Sequence, residues 1–329
     1  MITKYLLLIF RKIYKIFFLK FTLNNYCKSY IIRENVIIDS DKTSKLISKL
    51  INKKKPCLIS RLGRTEFSLI MNYLSVKKNF FNLMDFITLK EHEYWWSKSL
   101  INQIYNWSGF FPNNEKYLIK FSKYYLSLTD KIDLVGVFVE NPNIENFFSK
   151  KLKKASKVNV AHLGGFQSSC SWLKTLKNKK VLVIHPFAET IKKQYKKRNK
   201  IFKKDYLPKF ELKTIKAVQS LGGHDNQFNN WFEALDNMKL KMNKIDFDIA
   251  LIGCGAYGFP LAAHAKKMGK IGFHLGGEVQ ALFGIIGKRY ESPTHAEGIY
   301  LNYINKYWVR PNKKERPKNF NQVEGGCYW

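Results

Sequence analysis

The sequence predicts an α/β protein: a Rossmann-like, largely parallel sheet with helices on both faces, preceded by an N-terminal amphipathic helix. Two observations carry the sheet. Near-continuous apolar runs of strand length recur along the chain, and several are followed by a glycine turn and a helical pattern. The first such unit covers residues 55–67, where Lys55 to Ser60 reads as a strand and Leu62-Gly63-Arg64 as a turn into a helix. Residues 132–139 form a second apolar run. Residues 180–191 pass from a strand through His185-Pro186 into a helix, proline being well placed in a first helical turn because its missing donor has no acceptor there. The clearest unit is 246–258, a strand ending in a glycine loop; residues 259–268 then read as a helix that stops at Gly269, and 270–274 supply the next strand.

At 329 residues, with 45% apolar and 15% aromatic content, the chain can bury a sizeable core. The pattern divides it into a basic membrane-surface helix at 1–33 and an α/β domain at 45–329. Within that domain lie a first strand-loop-helix part at about 45–150, a glycine-rich nucleotide-binding part at about 151–309, and a tail at 310–329 that docks back. Lys and Arg number 57 against 25 Asp and Glu, a formal charge of +32 that favours phosphorylated ligands or anionic lipid. No helix-turn-helix, finger or recognition-sheet signature accompanies the charge, so nucleic acid is not an expected partner. The five scattered cysteines lack C-x-x-C spacing and argue against a disulfide framework or zinc ribbon; a reducing cytoplasm suits them.

Residues 1–21 are apolar but interrupted by Arg11, Lys12, Lys15 and Lys20, well short of the ~20 uninterrupted residues a bilayer span needs. At helical spacing Lys4, Arg11, Lys12 and Lys15 share one sector, and Leu6, Phe10, Ile13, Phe17 and Phe21 the opposite one. This is the pattern of a helix lying in a membrane interface; the alternative is a helix packed on the domain's own core. The expected location is therefore cytoplasmic, peripheral on the inner face of the cytoplasmic membrane.

Three segments carry candidate chemistry. Gly253-Cys-Gly255-Ala-Tyr-Gly258 is a G-x-G-x-x-G between a strand and a helix, where glycines allow close backbone approach to a phosphate and the helix start supplies donors. A dinucleotide site would next ask for an acidic residue at the end of the following strand. His274 stands there, so the fingerprint fits a nucleoside diphosphate better than NAD, and no NAD is expected. The second segment presents Arg61, Gly63, Arg64 and Glu66 on one turn, with two guanidinium groups suited to a diphosphate; Glu66 is a general base, a metal ligand or only their ion-pair partner. The third is His185 with Glu189, followed at helical spacing by Gln194 and Arg198, at a strand's carboxyl end where open α/β sheets bind ligands; His185 is equally readable as structural. Trp95, Trp96 and Trp107 belong to an aromatic-rich stretch that either packs in the core or stacks on a sugar.

With the 61–66 loop, the 183–195 segment, the 252–276 stretch and the closing Glu324-Gly-Gly-Cys-Tyr-Trp329 together, the chain resembles bacterial glycosyltransferases of the GT-D-fold group and their relatives in surface-polysaccharide gene clusters. The resemblance covers about residue 55 to the C-terminus. It implies transfer of a sugar from a nucleoside-diphosphate sugar to a glycan or lipid-linked acceptor. In such enzymes the first loop looks like R-x-G-D-G-E and its two acids hold a divalent metal, Mn or Mg. Here Arg61, Gly63 and Glu66 match and Arg64 replaces the Asp. Either the Arg64 cation takes over the metal's electrostatic work on the departing diphosphate, with Glu66 a residual ligand, or activity has been lost. On this reading Arg61, Gly63, Arg64, Gly253, Gly255, Gly258 and His274 bind the nucleotide sugar, and Glu66, His185 and Glu189 are the catalytic candidates. The alternatives are an NAD(P)-dependent oxidoreductase acting on a nucleotide sugar and a non-catalytic glycan-assembly protein.

Overall fold

The computed structural model of the protein describes residues 2–78, 80–202, 206–221 and 227–329; the side chain of Lys4, counted above in the basic sector, lies outside that description. Among the described residues seven strands form one all-parallel sheet: β1 (Cys57–Arg61), β2 (Leu134–Val137), β3 (Ser156–Asn159), β4 (Lys180–His185), β5 (Glu211–Lys216), β6 (Ile249–Ile252) and β7 (Ile271–His274), in the order β3-β2-β1-β7-β6-β4-β5. The helices are α1 (Ile2–Phe21), α2 (Leu23–Arg33), α3 (Ser40–Asn52), α4 (Arg64–Val76), α5 (Leu83–Ile87), α6 (Lys98–Ser108), α7 (Glu115–Thr129), α8 (Asn143–Phe147), α9 (Ala188–Tyr195), α10 (Arg198–Ile201), α11 (Trp231–Asn243), α12 (Gly258–Lys267) and α13 (Glu278–Leu282).

The continuous apolar runs exist because the sheet is covered on both sides. Along β4, Leu182 and Ile184 enter one core with α4, α7, α11 and α12, while Val181 and Val183 enter the other with α3, α9 and α13. Ala250 and Ile252 of β6 alternate with Ile249 and Leu251 in the same way. Helix α12 lies so close to β7 that a Cβ on Gly272 would sit 2.0 Å from the carbonyl oxygen of Ala262. The Rossmann-like, parallel α/β class expected from the sequence is thus the class observed.

Two strands escape a search for apolar runs, and both lie at sheet edges. β5 reads Glu-Leu-Lys-Thr-Ile-Lys because its free edge meets solvent while Leu212 and Ile215 pack on opposite faces; β3 is only Ser-Lys-Val-Asn, pinned further by a bridge between Ile37 and Val158. Helix α9 also differs from expectation. It begins at Ala188, so Pro186 lies before it rather than in its first turn, and it ends at Tyr195, leaving Arg198 in a separate short helix. Gln194 and Arg198 therefore do not form one functional face. Gln194 is buried and its side-chain amide donates to the carbonyls of Gly284 and Tyr307, a structural use.

The 310–329 segment packs on the body. Buried Glu315 accepts hydrogen bonds from the backbone N–H groups of Glu189 (2.8 Å) and Thr190 (3.3 Å) and from the Thr190 hydroxyl, so it caps α9 from outside the helix. Glu315→Ala is expected to cost about 1–3 kcal/mol, because donors at a helix start are left without their acceptor. A lowered midpoint in thermal denaturation checks this, and an unchanged midpoint would show the cap to be dispensable.

Candidate functional site

Between β4 and β6 the chain connections diverge: β4 leads outward to β5 and β6 leads the other way to β7. Open parallel sheets bind ligands at the carboxyl ends of strands beside such a point. A cavity of about 380 Å³ lies there, walled by Arg61 at the end of β1, His274 at the end of β7, Gly253 after β6 and His185 at the end of β4. Sequence neighbours add Gly63, Arg64 and Glu66, and the end of α6 adds Trp107 and Ser108. Sequence-distant segments close the wall with Ser220, Arg289, Glu324 and Tyr328.

Arg61 stands over the Phe138 ring, 4.9 Å from its centre, with no carboxylate at ion-pair distance among the described residues. It also packs against Gly276, where a Cβ would come within 3.5 Å of its side chain. Arg64 lies 4.1 Å over the same ring but is engaged elsewhere, pairing with Glu140 at 3.2 Å and donating to the carbonyl of Asn141. Glu66, in the first turn of α4, is buried and folds back across Gly63, where any Cβ would sit 2.0 Å from its Oε2. Burial pushes its carboxyl up from the ordinary range, opposed by hydrogen bonds from its own backbone and from Ser108 and by the charge of Arg61. Gly63 is thus required by the carboxylate above it.

The two histidines are neutral. Burial lowers both from the ordinary 6.5 to about 3, and for His274 the Arg61 charge adds to the effect. His185 accepts the backbone N–H of Phe187 at Nδ1 (3.0 Å), which places its proton on Nε2. It lines the cavity, with Nε2 left as its donor. His274 shares a hydrogen bond with Ser60 (3.1 Å) and covers Gly258, where a Cβ would lie 2.5 Å from the ring. Glu189 is not brought to the cavity at all. It is exposed in the first turn of α9 and pairs with Lys192 at 2.9 Å, which removes it from the catalytic candidates.

The buried rings bear on stability. Below pH about 6.5 the unfolded chain protonates both histidines while the fold keeps them neutral, so stability is lost as pH falls from about 6.5 towards 3, by up to about 1.4 kcal/mol per ring per pH unit. Buried Glu66, Glu145 and Glu278, whose carboxyls are raised by burial, act in the opposite sense. The test is therefore differential: His185→Gln is expected to lose less of its melting midpoint between pH 7 and pH 5 than the natural chain does. Parallel pH profiles would show that the ring is not the source.

The glycine loop serves packing as much as ligand approach. A Cβ on Gly253 would lie 2.3 Å from the carbonyl oxygen of Gly276, and one on Gly255, whose φ is +55°, would lie 2.7 Å from that of Ser108. Gly253 and Gly255 still form part of the cavity floor, whereas Gly258 sits beneath His274 and outside the lining. Of Trp95, Trp96 and Trp107, the last reaches the cavity, as does Trp329 of the closing segment; Trp96 stacks on Tyr73 and Trp95 packs on Phe86.

Arg289 was not singled out by the sequence. It contacts Glu324 at 2.5 Å, the Cys327 thiol at 3.0 Å and the Tyr328 ring at 4.1 Å, so the closing Glu-Gly-Gly-Cys-Tyr-Trp supplies a wall of the site. A divalent metal fits this donor set poorly. Glu66 is turned back across Gly63 under the charge of Arg61, and no group of three or more His, Cys, Asp or Glu among the described residues is arranged to hold an ion.

A parallel α/β sheet with an arginine-bearing glycine turn and a second glycine loop facing one cleft defines a protein of Rossmann-like architecture. Residues 38–282 match the GT-D fold-like domain, and the chain belongs to that family, whose fold is glycosyltransferase-related. No curated protein and no solved structure matches the chain.

Proposed function

We propose that the protein is a glycosyltransferase, moving a sugar from a nucleoside-diphosphate sugar to a glycan or lipid-linked acceptor in surface-polysaccharide synthesis. It works at the inner face of the cytoplasmic membrane; among the described residues no helix is long and apolar enough to cross that membrane. The observation that carries the reading is Arg61, a cation lining the cavity without a carboxylate partner among the described residues, beside a buried carboxylate whose proton affinity is raised. Arg61, with Arg64 and Arg289 on the rim, holds the diphosphate and stabilises the charge that develops as the bond from the anomeric carbon to the phosphate oxygen breaks. The acceptor hydroxyl forms the new bond to that carbon, and its proton passes to Glu66, whose raised pKa brings it nearer the working pH. His185 donates from Nε2 to the bound donor, and Trp107 offers a face for a sugar ring. No step is assigned to a metal.

The test is a thermal-shift screen of the whole chain with UDP, GDP, CDP, their sugar conjugates and NAD(P)H, each with and without manganese. A ligand that binds only the folded state raises the midpoint. One nucleoside diphosphate is expected to do so without manganese. A shift with NAD(P)H alone would replace this reading by the oxidoreductase, and no shift with any ligand by the non-catalytic assembly protein.

A further inference from the structure

We infer that the protein docks on anionic lipid through two elements held as one unit: the outward face of α1 and the neighbouring segment Phe80–Met84. The inference rests on the membrane-surface part of the proposed function and adds a second contact and a fixed geometry to it. Helix α1 is turned with its apolar sector away from the body. Eight large apolar side chains between Tyr5 and Phe21, among them Leu6, Phe10, Ile13 and Phe17, leave 46–64% of their surfaces exposed.

The half-buried side of α1 is Leu7, Leu8, Arg11, Tyr14 and Phe18, so of the basic residues it is Arg11 that meets the body. Arg11 donates to the carbonyls of Phe86 (2.5 Å) and Glu91 (2.6 Å), with its guanidinium 4.5 Å from the centre of the Phe86 ring. This clamp joins α1 to α5, and there Phe80, Phe81, Leu83 and Met84 are exposed as well. A soluble monomer rarely leaves so much contiguous apolar surface to water.

Charge selects the occupant. Lys12, Lys15 and Lys20 are exposed around the apolar face of a chain carrying +32, so a second copy would bring like charge against like, whereas anionic head groups meet both the lysines and the apolar side chains. Because Arg11 fixes α1 to α5, the cavity is held at a set orientation to the lipid instead of hanging from a free arm.

The experiment is flotation of the full chain with vesicles of phosphatidylglycerol and phosphatidylcholine, compared with phosphatidylcholine alone, beside size-exclusion chromatography without lipid. Binding is expected to be at least roughly tenfold tighter on the anionic vesicles, and Phe17→Glu is expected to weaken it by roughly tenfold or more. Phe80→Glu with Met84→Glu is expected to weaken it to a similar degree although α1 is intact. All three positions are exposed, and an unchanged melting midpoint verifies the fold. If the Phe80/Met84 variant floats like the natural chain, the two-element surface is overturned. It is equally overturned if the natural chain does not float, or if it is a dimer that Phe17→Glu converts to monomer. The nucleoside-diphosphate shift is measured in solution on the same variants, so failure of docking with that shift preserved leaves the transferase reading standing.

Discussion

Arg61→Ala is expected to abolish most donor binding while leaving the fold intact. Among the described residues its guanidinium has no carboxylate partner to strand, so removal costs little structure and frees space at the end of β1. A charge-assisted hydrogen bond contributes about 1.5–3 kcal/mol, so affinity for the nucleoside diphosphate should fall roughly 10- to 150-fold. Turnover should fall further, about 10²- to 10³-fold, if the cation stabilises the leaving diphosphate more than the ground state. Calorimetric titration with the diphosphate and release of free nucleotide from the sugar donor separate the two effects. Arg61→Lys keeps the charge without the planar fork and should recover only part of the affinity. Undiminished binding in Arg61→Ala would remove the residue on which the functional reading rests.

Gly255→Ala should produce the largest loss of stability among single changes at the site. Two costs coincide there: a φ of +55°, which an L side chain adopts only under strain, and a Cβ placed 2.7 Å from the backbone oxygen of Ser108. Strain of about 1–3 kcal/mol and overpacking of about 1–3 kcal/mol together predict a loss of about 2–6 kcal/mol. Gly269→Ala supplies the comparison, since its φ is +81° but nothing lies within 4 Å of the added Cβ. It should pay the strain alone. If the two variants melt together, the contact with Ser108 carries no weight. Loss of nucleotide binding on substituting Gly255 is interpretable only beside this control, because the substitution disturbs α6, which carries Ser108 and Trp107 into the same cavity.

The parts of this molecule that were legible in its sequence are those where one local requirement decides the residue. Central strands buried on both faces need unbroken apolar runs, so β1, β4, β6 and β7 could be read directly, and the glycine turns after β1 and β6 marked the cavity floor. Edge strands answer to solvent on one side, and β3 and β5 carry no such run. Glu189 was misplaced because its position after β4 is right for a ligand, yet α9 starts late and turns its side chain outward to Lys192. Arg289 and Ser108 were missed for another reason: what brings them to Arg61 and Glu66 is the tertiary path of the chain, and no spacing records it. The two sectors of α1 were visible as composition. Which side faces the body was not: Leu7, Leu8, Tyr14 and Phe18 are half-buried with Arg11, whose guanidinium reaches the carbonyls of Phe86 and Glu91.

The position of β1 between β2 and β7 has a consequence for how the chain reaches its native state. Ser60 and His274 meet across that junction although 214 residues separate them, and Cys57 lies in register with Ile271. During synthesis β1 can pair on one side as soon as β2 has emerged, but its other edge stays open until the ribosome has delivered β7. A hydrophobic strand left half-paired for that long invites pairing with other chains, and closing so distant a contact makes folding slow. A holdase that shields the β1 edge until β7 has emerged should therefore raise the soluble yield more than any change to the cavity.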